Sequence, residues 1–342
     1  MKISTKARLG VALLASAALV AGCSGGSTTS APASPAESAS ETTTEGTAGD
    51  VSIGVIQLVS HPALDQANAG FQAALADAGY NVTYDQQNAQ ADQSIAASIA
   101  GKFASDDLDL VLAIATPAAQ AIAQAVTDKP VLFTAVTDPE HAGLVESNEA
   151  PGGNVTGTSD ANPVLEQMAL FEQLRPGIQT IGIVYAPGED NSGVQVEWAK
   201  TAAEELGLTL ELATVVTSGD VQQAAESLGD VDGIYVPTDN IVVSALESVL
   251  AVAEAKKIPV VVGEGDSVAR GGVITYGINY FDLGYQTGQM AVRILEGADP
   301  ATTPVETQDV LEVYINLTAA ERMDVVVPQE LIDQAKPENI TE

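Results

Sequence analysis

Nucleophilic catalysis needs a nucleophile, a base and an orienting group within hydrogen-bond reach of one another, and this chain offers little for it. Two histidines, His61 and His141, and one thiol, Cys23, are present. No strand-to-helix turn carries Gly-x-Ser-x-Gly. Neither His-x-x-x-His nor Cys-x-x-Cys occurs, so no transition-metal site is signalled. Walker-type Gly-Lys-Ser/Thr and Gly-x-Gly-x-x-Gly are missing too, which leaves nucleotide cofactors unsupported. What remains is binding chemistry. Ser60, His61, Thr116 with Ala118, and Thr137 fall where apolar runs end in the first half of the chain. Tyr185, Asn191, Thr238, Asp239, Asn240 and Glu264 do so in the second half, and Asp160 falls between. Basic residues are nearly absent from this set. A ligand anion would therefore rely on hydroxyls such as those of Ser60 and Thr116 and on helix N-terminal amides, and one carboxylate suits that better than a polyanion. The matching positive end would meet an acid, for which Asp239 is the first choice and Glu264 or Asp160 the alternatives. Each residue also has a plainer reading, because Ser, Thr, Asp and Asn favour caps and turns. His61 can equally end a strand and start a helix, and Asp239 can simply cap one.

These residues need a scaffold that brings strand ends together. Ile234-Tyr235-Val236-Pro237-Thr238-Asp239-Asn240 reads as a short buried strand, a turn and a helix start. Leu110 to Gln120 repeats the design, with Thr116 in the place of Thr238. In open α/β sheets the carboxyl edge of the strands is where ligands sit. From Val51 the chain alternates strand-like and helix-like patterns, the mark of parallel sheets covered by helices. Strands are expected over 51–58, 82–85, 108–115, 131–135, 180–185, 209–215, 234–236, 259–263, 273–276 and 310–315. Helices are expected over 62–78, 90–105, from 117, 162–174, 193–206, 221–228, from the Thr238 turn to 256, and 281–296. Two similar lobes facing each other across a cleft follow, with crossings near 157–160, 277–279 and 307 acting as hinges. A sugar would want an aromatic platform, yet the single tryptophan, Trp198, falls inside a helix away from this edge. Tyr185, Tyr235 and Tyr276 could stack on an aromatic side chain.

Composition limits partners and place. The 342 residues carry 46 Asp or Glu against 13 Lys or Arg, and a chain so acidic repels phosphate backbones and anionic membranes. Residues 1–22 read as a secretory signal, with a basic start, an apolar run from Leu9 to Val20 and small residues after it. The run is shorter than the roughly 20 apolar residues a bilayer span needs. Leu19-Val20-Ala21-Gly22-Cys23 resembles the lipobox of bacterial lipoproteins, which implies lipidation of Cys23 and its exposure as the mature N-terminus. From Ser24 to Gly49 every residue is Ser, Gly, Thr, Ala, Pro or Glu, a composition that builds no core. Residues 23–49 would form a flexible tether reaching roughly 30 Å.

Several motifs taken together carry a family resemblance. They are Gln57-Leu58-Val59-Ser60-His61-Pro62-Ala63-Leu64-Asp65, Ile114-Ala115-Thr116-Pro117-Ala118-Ala119-Gln120, Ala135-Val136-Thr137-Asp138-Pro139, Gly152-Gly153-Asn154-Val155-Thr156-Gly157, and Tyr235-Val236-Pro237-Thr238-Asp239-Asn240. On these the chain resembles a substrate-binding lipoprotein of an ABC importer, of the family that includes tryptophan and tyrosine transporter binding proteins. The likeness runs from Val51 to about Pro328. It implies an α/β protein of the type I periplasmic-binding fold: two doubly wound parallel-sheet lobes joined by a three-crossover hinge. By that implication 50–158 plus about 280–306 form the first lobe and 159–279 plus about 307–342 the second. The resemblance further implies a non-catalytic, cofactor-free monomer anchored outside the cytoplasm by lipid, holding an amino acid between its lobes for a permease and its ATPase. Aromatic or large apolar amino acids are expected first, with a nucleoside or sugar as the alternative.

Overall fold

The computed structural model describes residues 49–308 and 310–342. The expected leader, Cys23 and almost all of the tether lie outside the described residues. The chain first lays down β1 (Asp50–Gln57), α1 (Pro62–Asp77), β2 (Asn81–Asn88), α2 (Gln93–Ser105), β3 (Leu110–Ile114), α3 (Thr116–Ala125), β4 (Val131–Val136) and β5 (Val155–Ser159). A second series follows: α4 (Val164–Leu174), β6 (Thr180–Tyr185), α5 (Asp190–Leu206), β7 (Thr209–Thr214), α6 (Val221–Ser227), β8 (Gly233–Val236), α7 (Asn240–Ser244), α8 (Leu246–Lys256), β9 (Val260–Val262), α9 (Gly265–Arg270) and β10 (Ile274–Gly277). The tail adds α10 (Tyr280–Leu295), β11 (Glu306–Thr307), β12 (Glu312–Asn316), α11 (Leu317–Arg322), α12 (Gln329–Ile332) and β13 (Ile340–Thr341).

Two sheets result, ordered β11-β5-β4-β3-β1-β2 and β13-β12-β10-β9-β8-β6-β7. Among the described residues every pairing is parallel except β10 with β12. Central strands such as β3 and β8 are buried along their whole length, because helices cover both faces of a parallel sheet and an unbroken apolar run is then the stable sequence. The edge strands β2 and β7 carry exposed polar residues instead, which blunts them against pairing with other chains.

Each sheet has its own hydrophobic core. Helix α10 follows a strand of the second sheet, yet Leu283, Met290, Ala291 and Ile294 join the core of the first. Its approach to α1 is very close. A Cβ added at Gly284 would lie 1.8 Å from the Ala67 carbonyl oxygen, and one at Gly70 would lie 2.0 Å from that of Phe281. The chain therefore crosses between the sheets three times: after β5, between β10 and α10, and between β11 and β12. The last two crossings are tied together by Gln308, whose Nε2 donates to the Asn279 carbonyl at 3.1 Å while its Oε1 accepts the Asn279 N–H at 3.2 Å.

Some elements differ from the sequence expectation. The single helix expected up to Lys256 breaks at Ala245 (φ −121°, ψ 30°) into α7 and α8. Helix α9 was not anticipated; Glu264 starts it by accepting the Ser267 N–H.

Candidate functional site

The carboxyl edges of both sheets meet around a nearly closed cavity of about 10 Å³, room for roughly one water molecule. Small-molecule sites typically offer roughly 300 to 1,000 Å³, so the walls here stand nearly shut and must part to admit a ligand. Of the residues singled out in the sequence, His61, Thr137, Asp160, Asn191, Thr238, Asn240 and Glu264 line it.

The first lobe's wall begins where β1 ends. His61 is the N-cap of α1 but makes no capping bond, and Pro62 fills the first turn, where no N–H is needed. Ala63 and Leu64 in that same turn also line the cavity. Beside them β4 loses register against β5 between Phe133 and Val136. Ala135 sits at this irregularity with φ +56°, a left-handed conformation that alanine rarely adopts. The bulge turns Thr137 toward Asp160. Thr137 Oγ1 donates to Asp160 Oδ1 at 3.0 Å, and Tyr280 Oη donates to Asp160 Oδ2 at 2.5 Å. Asp160 is 3 % exposed. Burial pushes its carboxyl above the usual carboxylate range and pushes the Tyr280 phenol well above its own.

The second lobe supplies a buried polar lattice. Glu189 accepts from the Asn240 N–H (3.3 Å), Asn240 Nδ2 (2.6 Å), the Ile241 N–H (3.1 Å) and Asn191 Nδ2 (3.1 Å). It thus fixes two cavity-lining amides at once. Burial, aided by the neighbouring Asp239 charge, raises Glu189 to about 8. Thr238 is held from behind by Gln195, which donates Nε2 to Thr238 Oγ1 at 2.8 Å and accepts the Thr238 N–H at 3.1 Å. Glu264 accepts from Ser267 through both the backbone N–H, at 3.0 Å, and the hydroxyl. Burial and then Asp266 lift Glu264 to about 7.

The lobes touch directly across the cavity and at its rim. His61 Nε2 lies 3.3 Å from Asn240 Oδ1, and Gln120 Nε2 donates to Asp190 Oδ2 at 2.6 Å. Burial lowers the His61 pKa to about 4, so the ring is neutral at neutral pH.

The remaining expectations need correction. Asp239 does not face the cavity: it is fully buried, and its carboxylate takes the Ala186 N–H (2.6 Å), the Ser192 hydroxyl (2.7 Å) and the Val242 N–H (2.8 Å). Ser60 is exposed and gives its hydroxyl to Asp65. Thr116 and Ala118 are buried in the first lobe away from the cavity, although Thr116 Oγ1 has no partner. Tyr185 packs on the second core, Tyr235 is fully buried with its hydroxyl on Gln167, and Tyr276 bonds Gln334, so none of the three stacks in the cleft. Tyr280 and Glu189 escaped the sequence reading. Tyr280 opens a helix read as beginning at residue 281, and Glu189 looks locally like any acidic residue before a helix.

Chemically the cavity presents two carboxyl groups, Asp160 and Glu264, and among the described residues no Lys or Arg lines it. It suits a ligand with an ammonium group. Among the described residues no cluster of His, Cys, Asp and Glu could hold a metal ion.

Comparison with known proteins agrees with this architecture. A family model described as ABC transporter substrate binding protein matches residues 52–338. That family is one of transport receptors rather than enzymes. A protein named tyrosine-binding protein from Clostridioides difficile (strain R20291) is 44% identical over 278 residues, covering 80% of this chain and 81% of the relative. Among solved structures, an ABC domain from Streptococcus pneumonia in complex with L-Trp is 38% identical with a TM-score of 0.82, covering 86% of this chain and all of that one. A ligand-free, open substrate binding protein with adhesive properties from Clostridium difficile is 42% identical with a TM-score of 0.64, covering 85% of this chain and 98% of its own.

Proposed function

We propose, for a chain that belongs to the family of ABC transporter substrate-binding proteins, that its ligand is an aromatic amino acid and that it hands this ligand to a permease driven by its ATPase. The observation that carries the reading is the charge of the cavity. Asp160 and Glu264 face it with no cation among the described residues that line it, and a buried carboxylate without a counter-charge is costly. A ligand ammonium removes that cost, whereas a sugar or a neutral nucleoside does not. The relative named for tyrosine and the L-Trp complex support the amino-acid class.

Closure accompanies binding in this reading. Residues from both lobes can bury a ligand only when the lobes meet, and the three crossings, including the Gln308 to Asn279 pair, absorb the rotation. The TM-score is higher to the L-Trp complex than to the ligand-free open relative, which fits a closed arrangement here. The site is made by His61, Thr137, Asp160, Asn191, Thr238, Asn240 and Glu264, joined by Tyr280. The lobe boundaries proposed are those expected from the sequence. The receptor is proposed to act as a monomer held outside the cytoplasm by lipid on Cys23.

A thermal-shift screen of the tether-free protein against amino acids, nucleosides and sugars tests the ligand class. Binding to the folded state alone stabilises by about 2.7 kcal/mol at a hundredfold excess over Kd. Shifts are expected with tyrosine or tryptophan; shifts with sugars or nucleosides only would overturn the reading.

A further inference from the structure

We infer that His61 is a hydrogen-bond acceptor locked in one tautomer, and that its Nδ1 selects an aromatic amino acid bearing a neutral N–H or O–H donor on its ring, tyrosine or tryptophan, over phenylalanine. The inference rests on the amino-acid reading above and adds to it the residue that reads the side chain.

The lock is built in the second lobe. Glu189 collects four N–H donors, and one of them is Asn240 Nδ2 at 2.6 Å. Three of the four end on Oε2, so a proton held by Glu189 sits on Oε1; turning the Asn240 amide round would set its oxygen against the accepting Oε2, so Nδ2 stays on Glu189 and Oδ1 faces His61. An amide oxygen only accepts. His61 Nε2, 3.3 Å from it, must therefore carry the hydrogen. A neutral imidazole has one hydrogen to give, and Nδ1 is left as a bare lone pair.

Among the described residues that lone pair meets no donor: His61 Nδ1 is buried and unpartnered in a residue only 8 % exposed that lines the cavity. A buried acceptor left unpaired is costly, and the group that satisfies it gains the difference. Three parts of an amino acid could approach. A ligand carboxylate would face lone pair with lone pair and be repelled. An ammonium is drawn to the two carboxyl groups in the same cavity, Asp160 and Glu264, where charge attraction exceeds what a neutral ring offers. A phenol O–H or indole N–H is the neutral donor that matches. Sites built to bond a substrate O–H or N–H reject the analogue lacking it, because their own polar group stays unpaired.

Two measurements test this on the whole folded chain. Nitrogen NMR of protein labelled at histidine reports the tautomer, and with only His61 and His141 to assign the spectrum is simple. Ligand-free protein should show His61 protonated at Nε2 and bare at Nδ1. Saturation with tyrosine or tryptophan should move the Nδ1 resonance toward that of a hydrogen-bonded acceptor, and phenylalanine should leave it in place. A hydrogen on Nδ1 instead overturns the inference whatever the ligand. Calorimetric titration should show tyrosine or tryptophan binding about 10- to 100-fold more tightly than phenylalanine, with His61→Leu erasing most of that ratio. Equal affinity for all three in the wild type sinks the role of His61 and leaves the amino-acid reading standing. Binding to none of them, with a shift from other compounds, sinks both.

Discussion

Replacing Asp160 by asparagine should weaken ligand binding and stabilise the empty protein, two changes of opposite sign. Asp160 is 3 % exposed, its carboxylate accepts the hydroxyls of Thr137 and Tyr280, and among the described residues no cation lines the cavity. Asparagine keeps the shape. Hydroxyls both donate and accept, so Thr137 can donate to the new amide oxygen while Tyr280 accepts from its nitrogen, or the reverse. What disappears is the negative charge. Removing one partner of a buried ion pair costs about 3 to 5 kcal/mol, which at about 1.4 kcal/mol per tenfold is roughly a hundredfold to a few thousandfold in affinity. Without ligand the same change relieves an uncompensated buried carboxylate, and the variant should gain on the order of 1 kcal/mol at pH 8, or about 2–4 °C in melting temperature for a chain of this size. Calorimetric titration with the best ligand and thermal unfolding without it give the two numbers. Affinity within threefold of wild type, or a lower melting temperature for the empty variant, refutes the assignment of the ammonium to Asp160.

Three further outcomes follow from the same structure. Glu264 and Glu189 are lifted to about 7 and 8 from 4.5, so between those values the folded state holds more protons than the unfolded one and stability falls as pH rises. His61, lowered to about 4 from 6.5, acts oppositely and only up to pH 6.5. Melting of the ligand-free protein should accordingly decline from pH 6.5 to 8; Glu264→Gln should flatten that decline, and a flat wild-type profile contradicts the assignment. Gly284→Ala drives a methyl group into the Ala67 carbonyl and should lower the urea midpoint by an equivalent of about 1–3 kcal/mol; an unchanged midpoint would show that α1 and α10 can separate freely. Cys23→Ala should release the protein from the membrane fraction while leaving ligand affinity unchanged, and mass spectrometry of membrane-derived wild type should find lipid on Cys23.

Much of the fold was legible because its causes are local. Fully apolar runs such as Leu110–Ile114 and Gly233–Val236 fit only a sheet covered on both faces. The rule that ligands sit at strand carboxyl ends then gathered seven of the twelve candidate ligand-binding residues around one cavity. Helix α9 was hidden because six residues are too few for a helical period to register. The break at Ala245 was hidden because Ser244, Ala245 and Leu246 are each compatible with a continuous helix. Glu189 and Tyr280 depend on partners far along the chain: Asn240 is 51 residues from Glu189, and Asp160 is 120 from Tyr280.

Asp239 and Asp160 show how a capping carboxylate differs from one that lines the cavity. Asp239 stands immediately before α7, and its Oδ1 reaches the Val242 N–H three residues on. A carboxylate so placed is compensated by the helix it starts, and here the Ala186 N–H and the Ser192 hydroxyl complete its shell. It has nothing left to offer a ligand. Asp160 directly follows β5, but Ala161, Asn162 and Pro163 intervene before α4 begins at Val164. Proline carries no N–H, so the residues after Asp160 do not assemble the set of free amides that a cap requires. The polar side chains that reach it, Thr137 and Tyr280, are neutral. An acid at a strand end that is followed directly by a helix is therefore satisfied within the protein, wholly for Asp239 and in part for Glu264, the N-cap of α9 that also lines the cavity. One separated from its helix by a turn and a proline lacks those amides, and for Asp160 that leaves the carboxyl with only two neutral hydroxyls among the described side chains.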